Sequence, residues 1–344
     1  MSAPLSIPSP DYAWQVFNLG QWIRDIGFTG FAFDLNIHAY AICILIGIVA
    51  ATLLTNHRLT RRGAEPGVVL DIIIWAVPLG IIGARIFHVL THTDDYFNGQ
   101  EWWRVFAVWE GGIAIFGSLI GGAIGAWIGC RFSGIRFWTF ADAVAPALLL
   151  AQAFGRVGNW FNHELFGQPT DLPWGLEIES SNPAYPAGLP EGTLFHPTFL
   201  YEIIWNLVGF ALILIIERKM RLQWGKVLGL YLVWYGLGRT VFESIRIDPS
   251  EVFFGLRSNV WAAIFAVIIG IVIIVVQNRR HTGLEPSPYV AGRGWVKPGT
   301  GVESEETYSD TDEPGNDAAS PTEELVPSGT ATSGSAQSVE GAKS

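Results

Sequence analysis

The strongest constraint on this chain is a run that no charge interrupts, VWAAIFAVIIGIVIIVV at residues 260–276. A helix needs roughly 20 mostly apolar residues to cross about 30 Å of hydrocarbon, and this run falls within the usual range. Six further runs are mostly apolar, giving seven at roughly 38–55, 68–91, 110–130, 137–161, 199–216, 227–243 and 259–276. Backbone in hydrocarbon must satisfy its own hydrogen bonds, so runs of this length are helices. The expected fold is an all-α polytopic membrane protein with about seven transmembrane helices. Only 15 % of the residues are charged, against about a quarter in soluble domains, which agrees with that reading.

Lys and Arg in short loops set the orientation, because the side richer in them stays in the cytoplasm. Arg58, Arg61 and Arg62, then Arg131 and Arg136, then Arg218, Lys219, Arg221 and Lys226, then Arg279 and Arg280 fall on one side. The other side has only Arg24, Arg104, Arg246 and Arg257. The first side is therefore read as cytoplasmic, with the N-terminus outside and the C-terminus inside. Three segments follow. Residues 1–36 place Trp14, Phe17, Trp22 and Phe28 among polar residues, as an extracytoplasmic interfacial segment does; they lack the basic start and short apolar core of a signal peptide. Residues 37–280 form the seven-span body. Residues 281–344 are an acidic cytoplasmic tail.

The formal charge of −10 owes much to that tail, which carries Glu303, Glu305, Glu306, Asp310, Asp312, Glu313, Asp317, Glu323 and Glu324. Its Ser, Thr, Gly and Pro cannot bury enough apolar surface to offset chain entropy, so it is expected to be disordered. An acidic balance of this kind argues against a nucleic-acid partner. Cys43 and Cys130 lie in or beside apolar runs, where two thiols make neither a disulfide framework nor a metal cluster. No metal or cofactor is expected.

Charge inside a membrane costs on the order of 2.5–3.5 kcal/mol per residue on insertion scales and calls for a functional explanation. Arg85, Arg156 and Arg239 qualify, and the topology puts all three toward the outer leaflet. In GRVGNWFNHELFG, Arg156 and Asn159 share a helix face, and Glu164 follows as the chain leaves the membrane. In YGLGRTVFE, the spacing of four puts Tyr235, Arg239 and Glu243 in one stripe. His196 precedes the fifth span in HPTFLYE, and Tyr40 stands near the outer start of the first. Gly117 and Gly121 allow the third span a close helix neighbour. The loop from Asn162 to about Pro197 has no Lys or Arg, and a loop that long is usually functional. Guanidinium groups donate paired hydrogen bonds that suit a phosphate. An outward-facing site for an anionic phospholipid headgroup is one reading; an ion pair between Arg239 and Glu243 that merely joins helices is the other.

These motifs resemble those of the prolipoprotein diacylglyceryl transferase family over roughly residues 35–280. GRVGNWFNHELFGQPT is similar to that family's Gly-Arg-x-Gly-Asn-x-x-Asn-x-Glu signature, with Gly167 closing it. HPTFLYE, YGLGRTVFESIRID, WEGGIAIFGSLIGG and the GARIFHVL stretch around Arg85 match in the same order. The resemblance implies an enzyme of the bacterial plasma membrane. It would take phosphatidylglycerol from the outer leaflet and transfer diacylglyceryl to the lipobox cysteine of a prolipoprotein signal peptide. It implies Arg156 as the phospholipid-contacting arginine and Arg239 as a second essential one. Asn159, Glu164, Gly167, Glu243, Tyr235, His196 and Tyr40 also fall on family positions. One departure stands out: Phe116 occupies the position of a histidine found in many members, and a phenyl ring cannot move a proton.

The implied reaction is displacement at a glycerol carbon by a thiolate, with a phosphate monoester leaving. Arg156 and Arg239 would stabilise the departing charge, with Glu243 orienting Arg239. Glu164, His196 and Glu243 are the candidate thiol bases, and Arg85 a further headgroup contact. Two other classes remain open: a transporter with intramembrane arginines on its path, and an inactive lipid-binding homologue, which the Phe116 departure raises.

Overall fold

The computed structural model describes residues 6–28, 33–97, 102–108, 111–248 and 250–295. Two short helices, α1 (Leu19–Asp25) and α4 (Asp94–Phe97), accompany seven long ones. These are α2 (Ala39–Arg61), α3 (Val68–Thr91), α5 (Ile115–Ser133), α6 (Phe137–Phe161), α7 (Thr198–Met220), α8 (Lys226–Ile245) and α9 (Ser258–Arg280). Three two-stranded antiparallel pairs lie in the connections: β1 (Val16–Asn18) with β2 (Asn36–His38), β3 (Leu176–Glu177) with β4 (Leu194–Phe195), and β5 (Val252–Phe253) with β6 (Leu256–Arg257).

Every apolar run of the sequence becomes one long helix, though the seven are not equally apolar. Six helices are long and apolar enough to cross a membrane, and α8 is not among them. It has the length, at 20 residues, but Arg239, Glu243 and several glycines dilute its apolar content. Those residues face the protein rather than lipid: Glu243, Gly236 and Gly238 are buried.

The largest helix interface joins α3 to α5. Gly117, Gly121, Gly125 and Gly129 recur every four residues and so form one stripe along α5. A methyl group on Gly121 would run into the Leu79 carbonyl, and one on Gly129 would lie 2.7 Å from Ile72 Cα. The small stripe is what lets the two backbones touch. Gly121→Ala should therefore force α3 and α5 apart, at the roughly 1–3 kcal/mol typical of overpacking. A clearly lower melting temperature in detergent is expected, and wild-type melting would contradict the seam.

Helices α6, α7 and α8 carry the polar residues, and two devices fix their register. Asp142 of α6, fully buried, accepts hydrogen bonds from the backbone N–H groups of Gly225 (2.8 Å), Val227 (2.9 Å) and Leu228 (3.0 Å). It thereby satisfies orphan donors at the start of α8 and complements the positive end of the helix dipole. Halfway along, Trp205 of α7 and Trp234 of α8 stack at 4.2 Å, and each indole donates to the other's backbone carbonyl. Gly209 and Gly238 leave room for the rings.

Residues 281–295, assigned by composition to a disordered tail, are folded. Glu285 accepts from the Thr139 hydroxyl (2.7 Å) and the Trp224 N–H (2.9 Å). The Tyr289 hydroxyl accepts from the Glu65 N–H at 2.8 Å, and Val290 donates to the Gly134 carbonyl at 2.8 Å. Tyr289 is buried among Leu59, Val68 and Ile135, and that aromatic anchor offsets the entropy which composition alone suggested could not be recovered. The first compact unit accordingly runs from Met1 to Lys297 rather than ending at 280. The acidic residues from Glu303 to Glu324 lie outside the described residues.

Candidate active site

The site is built where α6, α7 and α8 end beside the 162–197 connection. Asn162 closes α6 and the chain then turns through two left-handed residues, His163 (φ 52°) and Leu165 (φ 60°). His163 is buried: Asn182 donates to its carbonyl, and its ring faces Glu179 at 3.1 Å and the Pro10 carbonyl at 2.6 Å. The connection has a small core of Phe166, Leu176, Ile178 and Phe195. Gly167 donates to the His196 carbonyl and Gln168 to that of Ile245, which ties the connection to the end of α8.

Starting from α6, the charged groups form one chain of alternating sign. The Glu164 carboxylate accepts from Asn159 Nδ2 at 2.8 Å, and Asn159 Oδ1 accepts from Arg156 Nη1 at 2.9 Å. Arg156 Nε meets Glu202 of α7 at 2.8 Å, and the other Glu202 oxygen faces Arg246 at 3.9 Å. Arg246 Nε holds Asp248 at 2.7 Å, and Asp248 also meets Arg257 at 3.3 Å. Arg257 Nε pairs with Glu243 at 3.0 Å, and the second Glu243 oxygen meets Arg239 at 3.0 Å. Asn259 donates a further bond to Glu243 at 2.9 Å.

Glu202, Arg246 and Glu243 are sealed, with side-chain exposures of 8 %, 4 % and 0 %. Arg156, Asp248, Arg257 and Arg239 are partly open, at 22 %, 21 %, 20 % and 15 %. Arg156 and Arg239 lie close enough for their like charges to act on each other, and Tyr235 is close to Arg156 as well. Arg156 commits Nε and Nη1, and Arg239 commits Nη2, so among the described residues both keep N–H donors to spare. Two adjacent guanidiniums with free donors are chemically suited to an anion. At Asp248, in the connection after α8, burial alone would raise the carboxyl. The Arg246 hydrogen bond and the charges of Arg246 and Arg257 outweigh it and hold the group below the usual carboxylate range.

Most of the candidates from the sequence converge here. Tyr40 packs against Gly158 and feels the charges of both Glu164 and Arg156. Tyr235 stacks on Tyr231, whose hydroxyl accepts from Gln152 at 2.9 Å. His196 stands at the margin: its Nδ1 faces the Tyr201 hydroxyl at 3.2 Å, and it shares no side-chain partner with either arginine among the described residues. Gly167 is a packing position, since a methyl group there would lie 2.8 Å from His196 Cβ and 2.9 Å from Ile245 Cγ2.

Arg85 stands apart from these residues. It is buried, and its guanidinium is taken up by carbonyls of Arg104, Val105 (2.9 Å) and Gly111 (2.6 Å), with the Tyr96 ring 5.1 Å away. A guanidinium spent on backbone acceptors braces the connection between α4 and α5 and, among the described residues, shares no partner with the charge chain. Phe116, 36 % exposed, packs near Phe87 at 6.0 Å.

The sequence reading missed Glu202, Arg246, Asp248, Arg257 and Asn259. For Arg246 a signal existed: positions 235, 239, 243 and 246 continue a single helical stripe. Among the described residues no group of His, Cys, Asp and Glu side chains is placed to share a metal ion.

Six apolar helices, with a largely buried charge chain that ends on two partly open guanidiniums, define a multi-pass membrane protein with a site suited to an anionic group. Comparison with known sequences narrows the class. The prolipoprotein diacylglyceryl transferase family model matches residues 29–276. The chain is 60 % identical over 310 residues to the phosphatidylglycerol–prolipoprotein diacylglyceryl transferase of Leifsonia xyli subsp. xyli, covering 88 % of this chain and 90 % of that one. It is 46 % identical over 261 residues to one of two such enzymes of Streptomyces coelicolor, covering 76 % and 82 %. It is 45 % identical over 262 residues to that of Bifidobacterium adolescentis, covering 73 % and 78 %. This chain belongs to the prolipoprotein diacylglyceryl transferase family.

Proposed function

We propose that the protein transfers the diacylglyceryl group of phosphatidylglycerol to the lipobox cysteine thiol of prolipoproteins. The observation that carries the reading is the pairing of Arg156 and Arg239. They lie near enough for their like charges to act on each other, and among the described residues each has N–H groups that no partner takes up. Bound there, the phosphodiester would relieve the repulsion of the two cations. The leaving glycerol phosphate gains negative charge as its bond to the diacylglyceryl carbon breaks, so donors fixed in advance favour the transition state. Tyr235 and Tyr40 both lie near enough to Arg156 to feel its charge. Glu202 and Glu243 hold the arginines in place and are themselves held.

The excess of Lys and Arg on one side supports a topology in which the N-terminal segment and this site face the extracytoplasmic leaflet and the acidic tail faces the cytoplasm. Helix α8 would then be the sixth of seven spans, shielded by α6, α7 and α9, which is where a span carrying charge belongs. The plasma membrane of a bacterium is the matching location.

The test is thioether formation on a synthetic lipobox peptide by the full chain in vesicles, with phosphatidylglycerol or with phosphatidylcholine alone. Mass gain of one diacylglyceryl group, stable to hydroxylamine and dependent on phosphatidylglycerol, is expected. An unmodified peptide, or equal modification in both lipids, would overturn the assignment.

A further inference from the structure

The charge chain contains four carboxylates, and they are not equivalent. Glu243 has both oxygens engaged, one by Arg257 and Asn259 and the other by Arg239. Glu202 lies between Arg156 and Arg246, and Asp248 between Arg246 and Arg257. A proton placed on any of these would break an ion pair, at the highest cost for Glu202 and Glu243, which are sealed, since leaving a buried charge unpartnered is expensive. Glu164 is different. Only amide groups bond to it, Asn159 Nδ2 at 2.8 Å and Asn162 Nδ2 at 3.3 Å, and both reach the same oxygen, Oε1. Its Oε2 has no hydrogen-bond or ion-pair partner among the described residues. One oxygen is anchored and the other is free, as a positioned base requires.

The remaining polar neighbour is Tyr40, which faces Glu164 from α2; Arg156 reaches Glu164 only through Asn159. His196, the other candidate, is held in the Gly167–Gln168 backbone ladder and shares no partner with the arginines.

We propose that Glu164 is the general base of the transfer. Resting on the transferase reading above, the step is as follows. The cysteine thiol gives its proton to Glu164 Oε2, and the sulfur lone pair forms the S–C bond at the terminal glycerol carbon. The C–O bond to phosphate breaks, and its electron pair leaves on the phosphate oxygen between Arg156 and Arg239. Glu164 then returns the proton to the departing glycerol phosphate or to water. The anchoring amides explain how a member with Phe116 at the histidine position has a proton acceptor at all.

The experiment compares full-length wild type, Glu164→Gln and Glu164→Asp in phosphatidylglycerol vesicles, with lipobox peptides carrying either cysteine or selenocysteine. A free thiol has a pKa near 8.5, whereas a selenol is ionised at neutral pH and needs no base. Glu164→Gln should lose about 10²- to 10⁴-fold at pH 7 with the cysteine peptide, the range typical of general-base removal. The loss should shrink as pH rises toward the thiol pKa and nearly vanish with selenocysteine. Glu164→Asp should retain part of the rate at pH 7. Equal loss with thiol and selenol at every pH would overturn the proposal, as would wild-type turnover in Glu164→Gln. Failure of the wild type to modify either peptide would sink the transferase reading itself, and is separately visible.

Discussion

Arg156→Lys should lower turnover by about 10²- to 10³-fold, the scale seen when a preorganised donor to a developing anion is removed, while the protein melts close to wild type. A lysine preserves the positive charge, and its ammonium can still reach toward Glu202. It cannot replace the planar fork, which bonds Glu202 through Nε and Asn159 through Nη1 while Nη2 stays available. Losing the bond to Asn159 also releases the amide that anchors Glu164, so both the headgroup and the thiol side of the reaction are disturbed. The defect should appear chiefly in kcat, because donors aimed at the departing charge act mainly in the transition state. Steady-state lipidation of a peptide in phosphatidylglycerol vesicles measures it. Activity within a few-fold of wild type would show that charge alone suffices at this position and that the fork has no special role.

The contrast between Arg156 and Arg85 shows what was legible in the sequence and what was not. Both are arginines inside apolar runs, and hydropathy treats them alike. Arg156 came with Asn159 at helical spacing and Glu164 just beyond, so its local pattern already indicated a shared face, and the structure puts those three in one hydrogen-bonded line. Arg85 had no such companions. Its partners are carbonyls of Arg104, Val105 and Gly111, some twenty positions on, and backbone acceptors leave no mark in composition. The helices themselves were readable because hydrocarbon imposes them on any long apolar run. The strap at 281–295 was not, because a few specific contacts through Glu285 and Tyr289 decide its order. Helix α8 lies between these cases: its stripe was visible, but its weak apolarity makes sense only once α6, α7 and α9 are known to surround it.

Arg257 is the residue whose importance the sequence conceals most, and Arg257→Ala should destabilise the whole protein by about 3–5 kcal/mol, the cost of stranding a buried charge. By position it is a loop arginine just ahead of α9, one of a few charges counted toward topology. In the fold it bridges segments that the β5–β6 turn separates in sequence. Nε pairs with Glu243 at 3.0 Å, Nη1 donates to the Glu243 carbonyl at 3.1 Å and the Arg246 carbonyl at 2.9 Å, and Nη2 reaches the Asp248 carbonyl at 2.5 Å. Removing it leaves Glu243, with no exposed side-chain surface, held only by Arg239 and Asn259. It also frees Asp248, whose carboxyl is kept ionised partly by Arg257. Arg239 would then follow its displaced partner, so activity should fall together with the melting temperature. That coupling separates Arg257 from Arg156, where turnover should fall while melting holds. Arg257→Lys tests how much of the effect is geometric: one ammonium can satisfy Glu243 but not all four acceptors, so an intermediate melting temperature is expected. If Arg257→Ala instead melted like wild type, the alternating chain would not be a single energetic unit, and Glu243 would need Arg239 alone to hold it.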